Sequence, residues 1–155
     1  MVYPEEIRVG NFVQYNPYGV DEGTEIIPLQ IEAIFARIGI EGYYYLNDGF
    51  ENTYTYASVD PITITPEWLE RLGFFLASDC DDADMIIYQA DEWGSKFMNI
   101  VPVGDYYSVS LHEELLHTNE ATVNLAHIKY IHQLQNLFFA LTGQELTVKE
   151  LTPLI

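Results

Sequence analysis

The stretch TPEWLERLG, residues 65–73, divides the chain and decides its class. Thr65 suits the cap that accepts a free amide at a helix start, Pro66 fits the first helical position, and Glu67 faces the positive end of the helix dipole. Trp68, Leu69 and Leu72 form one apolar stripe, and Gly73 closes the helix in the left-handed conformation. Two turns are too few to persist alone in water, so this helix must be held by packing. On either side of it the sequence reads as short strands.

Upstream, IRVGNFVQY at 7–15 reads as a first strand with a bulge or bend at its interior glycine. Residues 26–38 contain a second, in which Leu29, Ile31, Ala33 and Phe35 alternate with polar neighbours. Tyr43–Leu46 is a third, rich in the aromatics that suit a pleated surface. Asn47-Asp48-Gly49 marks a hairpin turn, and Thr53–Ala57 returns from it. These strands predict a small SH3-like β-barrel or curled sheet. Downstream, residues 74–77, 85–89, 96–101 and 106–111 read as two hairpins of an antiparallel β-meander.

A second helix is expected near 128–142. At 100° per residue, Tyr130, Ile131, Leu134, Leu137, Phe138 and Leu141 fall within an arc of about 120°, the expected core face. Gly143 follows as its cap. His132, Gln135, Asn136 and Phe139 occupy a neighbouring arc of about 100°. Phe139 is large and apolar for a water-facing position. Either this arc is buried within the domain, with His132 and Asn136 bonding strand ends or loops, or it meets a partner. These four residues are the candidate partner-binding set. The whole reads as α+β, with a barrel-like subdomain at 1–62 and an α+β subdomain at 63–155 whose last helix packs on the meander, or as one compact domain built from both.

The chain has 155 residues, with 24 Asp and Glu against six Lys and Arg, and a formal net charge of -18. Ten carboxylates in residues 1–64 face only Arg8 and Arg37, so the excess is spread along the chain rather than held in a tail. An aromatic content of 14% excludes a disordered acidic segment. Phosphate backbones bind through Lys and Arg, so direct binding to nucleic acid or to an anionic membrane is not expected. A basic protein is the natural complement, although the same charge also keeps a Tyr-rich chain soluble. No apolar run reaches the roughly 18 residues of a membrane span, and residues 1–10 do not read as a secretory signal. The expected compartment is the cytoplasm.

No motif specifies a chemistry. The histidines at 112 and 117, like those at 127 and 132, are five apart, so neither pair shares a helix or strand face. HEELLH, residues 112–117, is one residue longer than the zincin spacing. Asp79, Asp81, Asp82 and Asp84 resemble a calcium loop only in density. An EF-hand beginning at Asp79 needs glycine at position 84 and glutamate at position 90, where this chain has Asp84 and Ala90. Cys80 lies among those carboxylates, which disfavour its thiolate. No serine stands in a nucleophile elbow. No catalytic, cofactor-binding or metal-ligating residue is assigned.

Three blocks carry a family likeness: IRVGNFV at 7–13, ITPEWLERLGF at 64–74, and YIHQLQNLFFALTGQEL at 130–146. In them the chain resembles a family of small uncharacterised proteins from prophages and mobile elements of Bacteroidetes, most specifically in HQLQNLFFALTG. The blocks cover about 35 residues in family order, and the segments between them carry no likeness. The family has no established catalytic residues, so the resemblance implies a bacterial or phage cytosolic setting and no residue role. Three functions follow as expectations: a non-enzymatic acidic protein-binding accessory factor, a DNA-mimic inhibitor of a nucleic-acid-binding host protein, or a metal-dependent hydrolase. The first needs only the acidic exterior and an interaction face. The second needs carboxylates in rows, and the third needs histidines and carboxylates that converge in a pocket.

Overall fold

A computed structural model describes residues 6–15, 28–37, 40–46, 53–55, 58–76, 88–89, 96–115 and 119–148. The architecture is α+β, with two five-stranded antiparallel sheets and two helices. The chain separates into two units: Met1–Thr63 with Tyr130–Leu146, and Ile64–Lys129 with Thr147–Ile155.

In the first unit, β1 (Phe12–Tyr15), β2 (Pro28–Arg37), β3 (Ile40–Leu46), β4 (Thr53–Thr55) and β5 (Val59–Pro61) lie in the order β4-β3-β2-β1-β5. The strand β5 returns to pair with β1, Val13 opposite Pro61. The expected barrel is not closed: β4 and β5 are the two edges and do not pair among the described residues. Register shifts between Ile31 and Ala33 and between Phe35 and Arg37 interrupt the β2–β3 ladder, as bulges do when a strand bends. Alternation places Val13 and Ile31 in the core with Ile7 and Val59, and Leu29, Ile34 and Tyr54 pack on that cluster. The first strand is shorter than its sequence suggests, because residues 8–11 turn instead of extending. The turn motif 47–49, the acidic segment 78–84 and His117 lie outside the described residues.

The second unit opens on α1 (Pro66–Arg71). Its local chemistry is the one read from the sequence: Thr65 Oγ1 accepts the amide of Trp68 at 3.3 Å, and Gly73 has φ 89° just past the end. Trp68, Leu69 and Leu72 are buried. The sheet runs β10-β9-β8-β7-β6, built from β6 (Phe75–Leu76), β7 (Tyr88–Gln89), β8 (Lys96–Val103), β9 (Tyr106–Leu115) and β10 (Asn119–Ile128). Gly104, at φ 61°, makes the tight turn between β8 and β9. Met98, Ile100 and Val109 are fully buried. The strand β10 extends the expected four-stranded meander by a fifth.

The last helix, α2 (Ile131–Thr142), lies in the unit that holds the first sheet, Tyr130–Leu146 grouping with Met1–Thr63. The cause is visible in its first residues, where Ile131 N donates to Ile62 O at 2.9 Å and Thr63 bridges Tyr130. Gln133 Oε1 accepts the Tyr130 amide at 3.1 Å, and Gly143, at φ 70°, ends the helix by donating to Phe139 O. No helix among the described residues is long and apolar enough to cross a membrane.

Candidate functional site

The candidate arc on α2 meets a tight turn at Arg8–Asn11. Arg8 N donates to Asn11 Oδ1 at 2.8 Å, and Asn11 N donates to Arg8 O at 3.2 Å. Gly10 sits at φ 94°, a region that side chains rarely tolerate. Strand β2 answers part of the turn, Gly10 N donating to Ile31 O at 2.8 Å and Ile31 N to Asn11 O at 2.9 Å, and a helix carrying amide side chains adds partners on the other side.

Gln135 supplies most of the match. It is fully buried; its Oε1 accepts Phe12 N at 2.8 Å, and its Nε2 donates to Gly10 O at 3.2 Å. Gln30 Nε2 also donates to Gly10 O, at 3.0 Å. Asn136 Oδ1 accepts Asn11 Nδ2 at 3.0 Å, and Asn136 Nδ2 donates to Glu6 O at 3.0 Å. Two neighbouring amides thus clamp residues 6–12 to the helix.

Arg8 completes the cluster. Its guanidinium lies 4.2 Å from the centroid of the Phe139 ring, a cation–π contact. It grips Glu145 with two nitrogens, Nη2 reaching Oε2 at 2.8 Å, and also donates to Gln135 O at 3.3 Å. Glu145 lies just past the left-handed cap at Gly143, so the cap turns the chain back toward Arg8.

His132 is 2% exposed and stacks on Tyr130, with ring centroids 5.8 Å apart and planes 10° from parallel. Its Nδ1 is buried without a hydrogen-bond partner. Burial holds its imidazole at about 4, well below the usual value of 6.5, so it is neutral at pH 7. A neutral ring with one unanswered nitrogen suits a tightly packed interior, where a charged one would be costly.

The four sequence candidates therefore divide. His132 and Gln135 are buried, Asn136 is half-buried, and Phe139 alone is 40% exposed. The buried stripe of the helix includes Ile131, His132, Leu134 and Gln135, whereas Leu141 of the expected core arc is 39% exposed. At 100° per residue the buried centre is displaced by roughly 80° from the apolar arc. Arg8, Asn11 and Glu145 were not singled out by sequence reasoning. Arg8 is the lone base before Arg37, and a base isolated in so acidic a stretch was the available signal.

Elsewhere, His112 Nδ1 lies 2.9 Å from Thr122 Oγ1, and the His127 ring meets Tyr106 edge-on at 5.0 Å. Each described histidine faces a different neighbour. Among the described residues no group of three His, Cys, Asp or Glu is placed to hold a metal ion. Amide side chains, an ion pair and a neutral buried imidazole offer positioning and rigidity rather than proton transfer or nucleophilic attack.

No family model matches the chain, and no curated protein or solved structure is similar to it.

Proposed function

We propose that the protein is a non-enzymatic, protein-binding accessory factor of a phage or other mobile element, working in the cytoplasm of a bacterial host. Its acidic surface receives a basic partner protein. The observation that supports this reading is the charge of -18. It is shared by both units: residues 64–129 hold twelve carboxylates against Arg71, Lys96 and Lys129. Arg8, one of the few bases in the first unit, is already committed to Glu145. A net charge of this size strains the compact state by self-repulsion and speeds encounter with an opposite charge. The amides on α2 are engaged in holding residues 6–12, so the charge is the feature that folding leaves unexplained.

The test is capture on the tagged full-length chain from host lysate, read by mass spectrometry across a salt series. A basic protein retained at low salt and released as screening shortens the electrostatic range supports the reading. A partner retained in molar salt, or a neutral one, overturns it. A captured nucleic-acid-binding protein that competitor DNA displaces would identify the acidic surface as a DNA mimic. Stoichiometric metal in the purified protein, together with hydrolytic turnover, would replace both.

A further inference from the structure

Sheet edges offer unpaired backbone groups to any extended chain, and folded proteins normally keep them short or guard them with Lys, Pro or a bulge. Three of the four edges follow that rule. The edge strands β4, β5 and β6 have three, three and two residues, and β5 ends in Pro61. The fourth edge, β10, is ten residues long and reads NEATVNLAHI, without a Lys, an Arg or a Pro; its one register shift falls late, between Asn124 and Ala126, and leaves Asn119–Asn124 regular. It pairs with β9 alone among the described residues. Along it Thr122, Val123 and Asn124 are all exposed, Val123 at 55%. Side chains on both faces of the strand thus reach water there, so no layer covers either face at these three residues.

The charges beside this edge select what would add to it. The register sets Glu120 opposite Glu114 and Ala121 opposite Glu113, so the β9–β10 pairing holds three acidic positions, with Lys96 on β8 in register with Glu113. A second copy of this chain would bring another -18 to the edge. A basic segment brings the missing charge.

We propose that β10 is a strand-addition site and that its occupant is an extended, basic segment of the partner protein. The proposal rests on the reading of the protein as an acceptor of basic proteins and names where and how it accepts them. Main-chain hydrogen bonds would supply the pairing, while alternate side chains of the guest would supply selectivity. The ladder is regular from Asn119 to Asn124 and shifts register before Ala126, so the guest strand spans these six residues. It carries a cation opposite Glu120 and an apolar residue opposite Val123, three positions apart and hence on opposite faces.

An alternating Lys–Val octapeptide meets that pattern and is the probe. Its binding to the full-length protein is read by fluorescence anisotropy, and β10 amides are followed by hydrogen exchange. Three further probes and variants are compared: the same peptide N-methylated at alternate residues, the protein with Val123→Lys, and the protein with Glu120→Gln. The expected result is binding that slows exchange at alternate β10 amides and weakens roughly tenfold on N-methylation, which removes donors while keeping charge. Val123→Lys, a guard placed on an exposed position, weakens it by a similar factor, and Glu120→Gln weakens it less. Equal affinity for the N-methylated peptide, or protection elsewhere than β10, overturns strand addition but leaves the acidic-acceptor reading standing. Absence of binding to either peptide at low salt overturns both. Self-association abolished by Val123→Lys would assign the edge to a second copy and overturn the basic guest.

Discussion

Replacing Gln135 by glutamate changes one NH2 to oxygen and tests the clamp on residues 6–12 directly. In the native protein the Gln135 Nε2 donates to Gly10 O at 3.2 Å while Oε1 accepts Phe12 N at 2.8 Å, with no exposure to water. In Gln135→Glu the acceptor toward Phe12 survives. The donor toward Gly10 becomes a second acceptor, and a charge is buried against a carbonyl. A penalty of about 3 kcal/mol at pH 7 is the expected scale for a lost bond plus a poorly solvated carboxylate. Through linkage, that penalty corresponds to raising the new carboxyl from its unperturbed value of about 4.3 to roughly 6.5 in the folded state. The sign follows: protonation restores a donor toward Gly10 O, so the penalty fades as pH falls through that interval and is full above it. Gln135→Leu serves as the control, with a loss of about 1–3 kcal/mol that is independent of pH, since no titrating group is introduced. Urea melts of the native protein and both variants between pH 5 and 8, taken as differences from the native protein, cancel the background titration. A glutamate variant as stable as the native protein at pH 7, or a penalty constant with pH, would refute the placement of this side chain.

His132 makes the native protein itself lose stability in mild acid. Its folded value of about 4 lies below the unfolded value of 6.5, so the unfolded chain takes up the proton first and about 2 kcal/mol is lost between pH 7 and 5. His132→Gln should flatten that part of the stability-versus-pH curve; an unchanged slope places the titrating group elsewhere. Thr65→Ala removes the acceptor of the Trp68 amide and should cost about 1 kcal/mol, read as a lower urea midpoint at constant slope. Leu134→Asp buries a charge at a fully buried position of α2 and should prevent soluble folding; a cooperative melt near the native midpoint would show that this face is not the buried one.

What could be read from the sequence was local chemistry. The α1 helix carries its own start and stop, so Thr65, Pro66 and Gly73 announce it without reference to anything distant. The β8–β9 hairpin announces itself through a short turn between alternating runs. The position of α2 was equally plain, but its orientation was not. Apolar periodicity assumes that a helix buries hydrocarbon against hydrocarbon, whereas α2 also presents Gln135 and Asn136 to a backbone turn 120 or more residues away in the chain. Nothing in the helix itself reveals that its docking surface offers N–H and C=O groups. From sequence Gly10 reads as a bulge or bend in a strand because the neighbouring Val9 and Phe12 suit one, yet its positive φ belongs to the turn that Asn11 closes. Strand β10 does alternate, Ala121, Val123 and Leu125 against Glu120, Thr122 and Asn124, but no Gly, Pro or Asn-Gly signal marks a turn between it and β9, so the run does not stand out as a separate strand.

The blocks IRVGNFV, ITPEWLERLGF and YIHQLQNLFFALTGQEL acquire a physical meaning from this arrangement. Within IRVGNFV, Arg8, Gly10, Asn11 and Phe12 form the turn; within the last block, Gln135, Asn136, Phe139, Gly143 and Glu145 receive it. The middle block caps its own helix. Each residue so engaged answers a demand of folding: a donor for Gly10 O, an acceptor for Phe12 N, a partner for a half-buried guanidinium. Residues engaged in this way are informative about architecture and silent about activity, because a chain with another task would need the same clamp. Function must then be sought where folding makes no such demand. A regular six-residue edge, Asn119–Asn124, without Lys, Arg or Pro is a hazard that the fold gains nothing from keeping, and an unrelieved surplus of carboxylates works against compactness. Both features are costs to a protein that acts alone, and both become assets if a basic strand is what it binds.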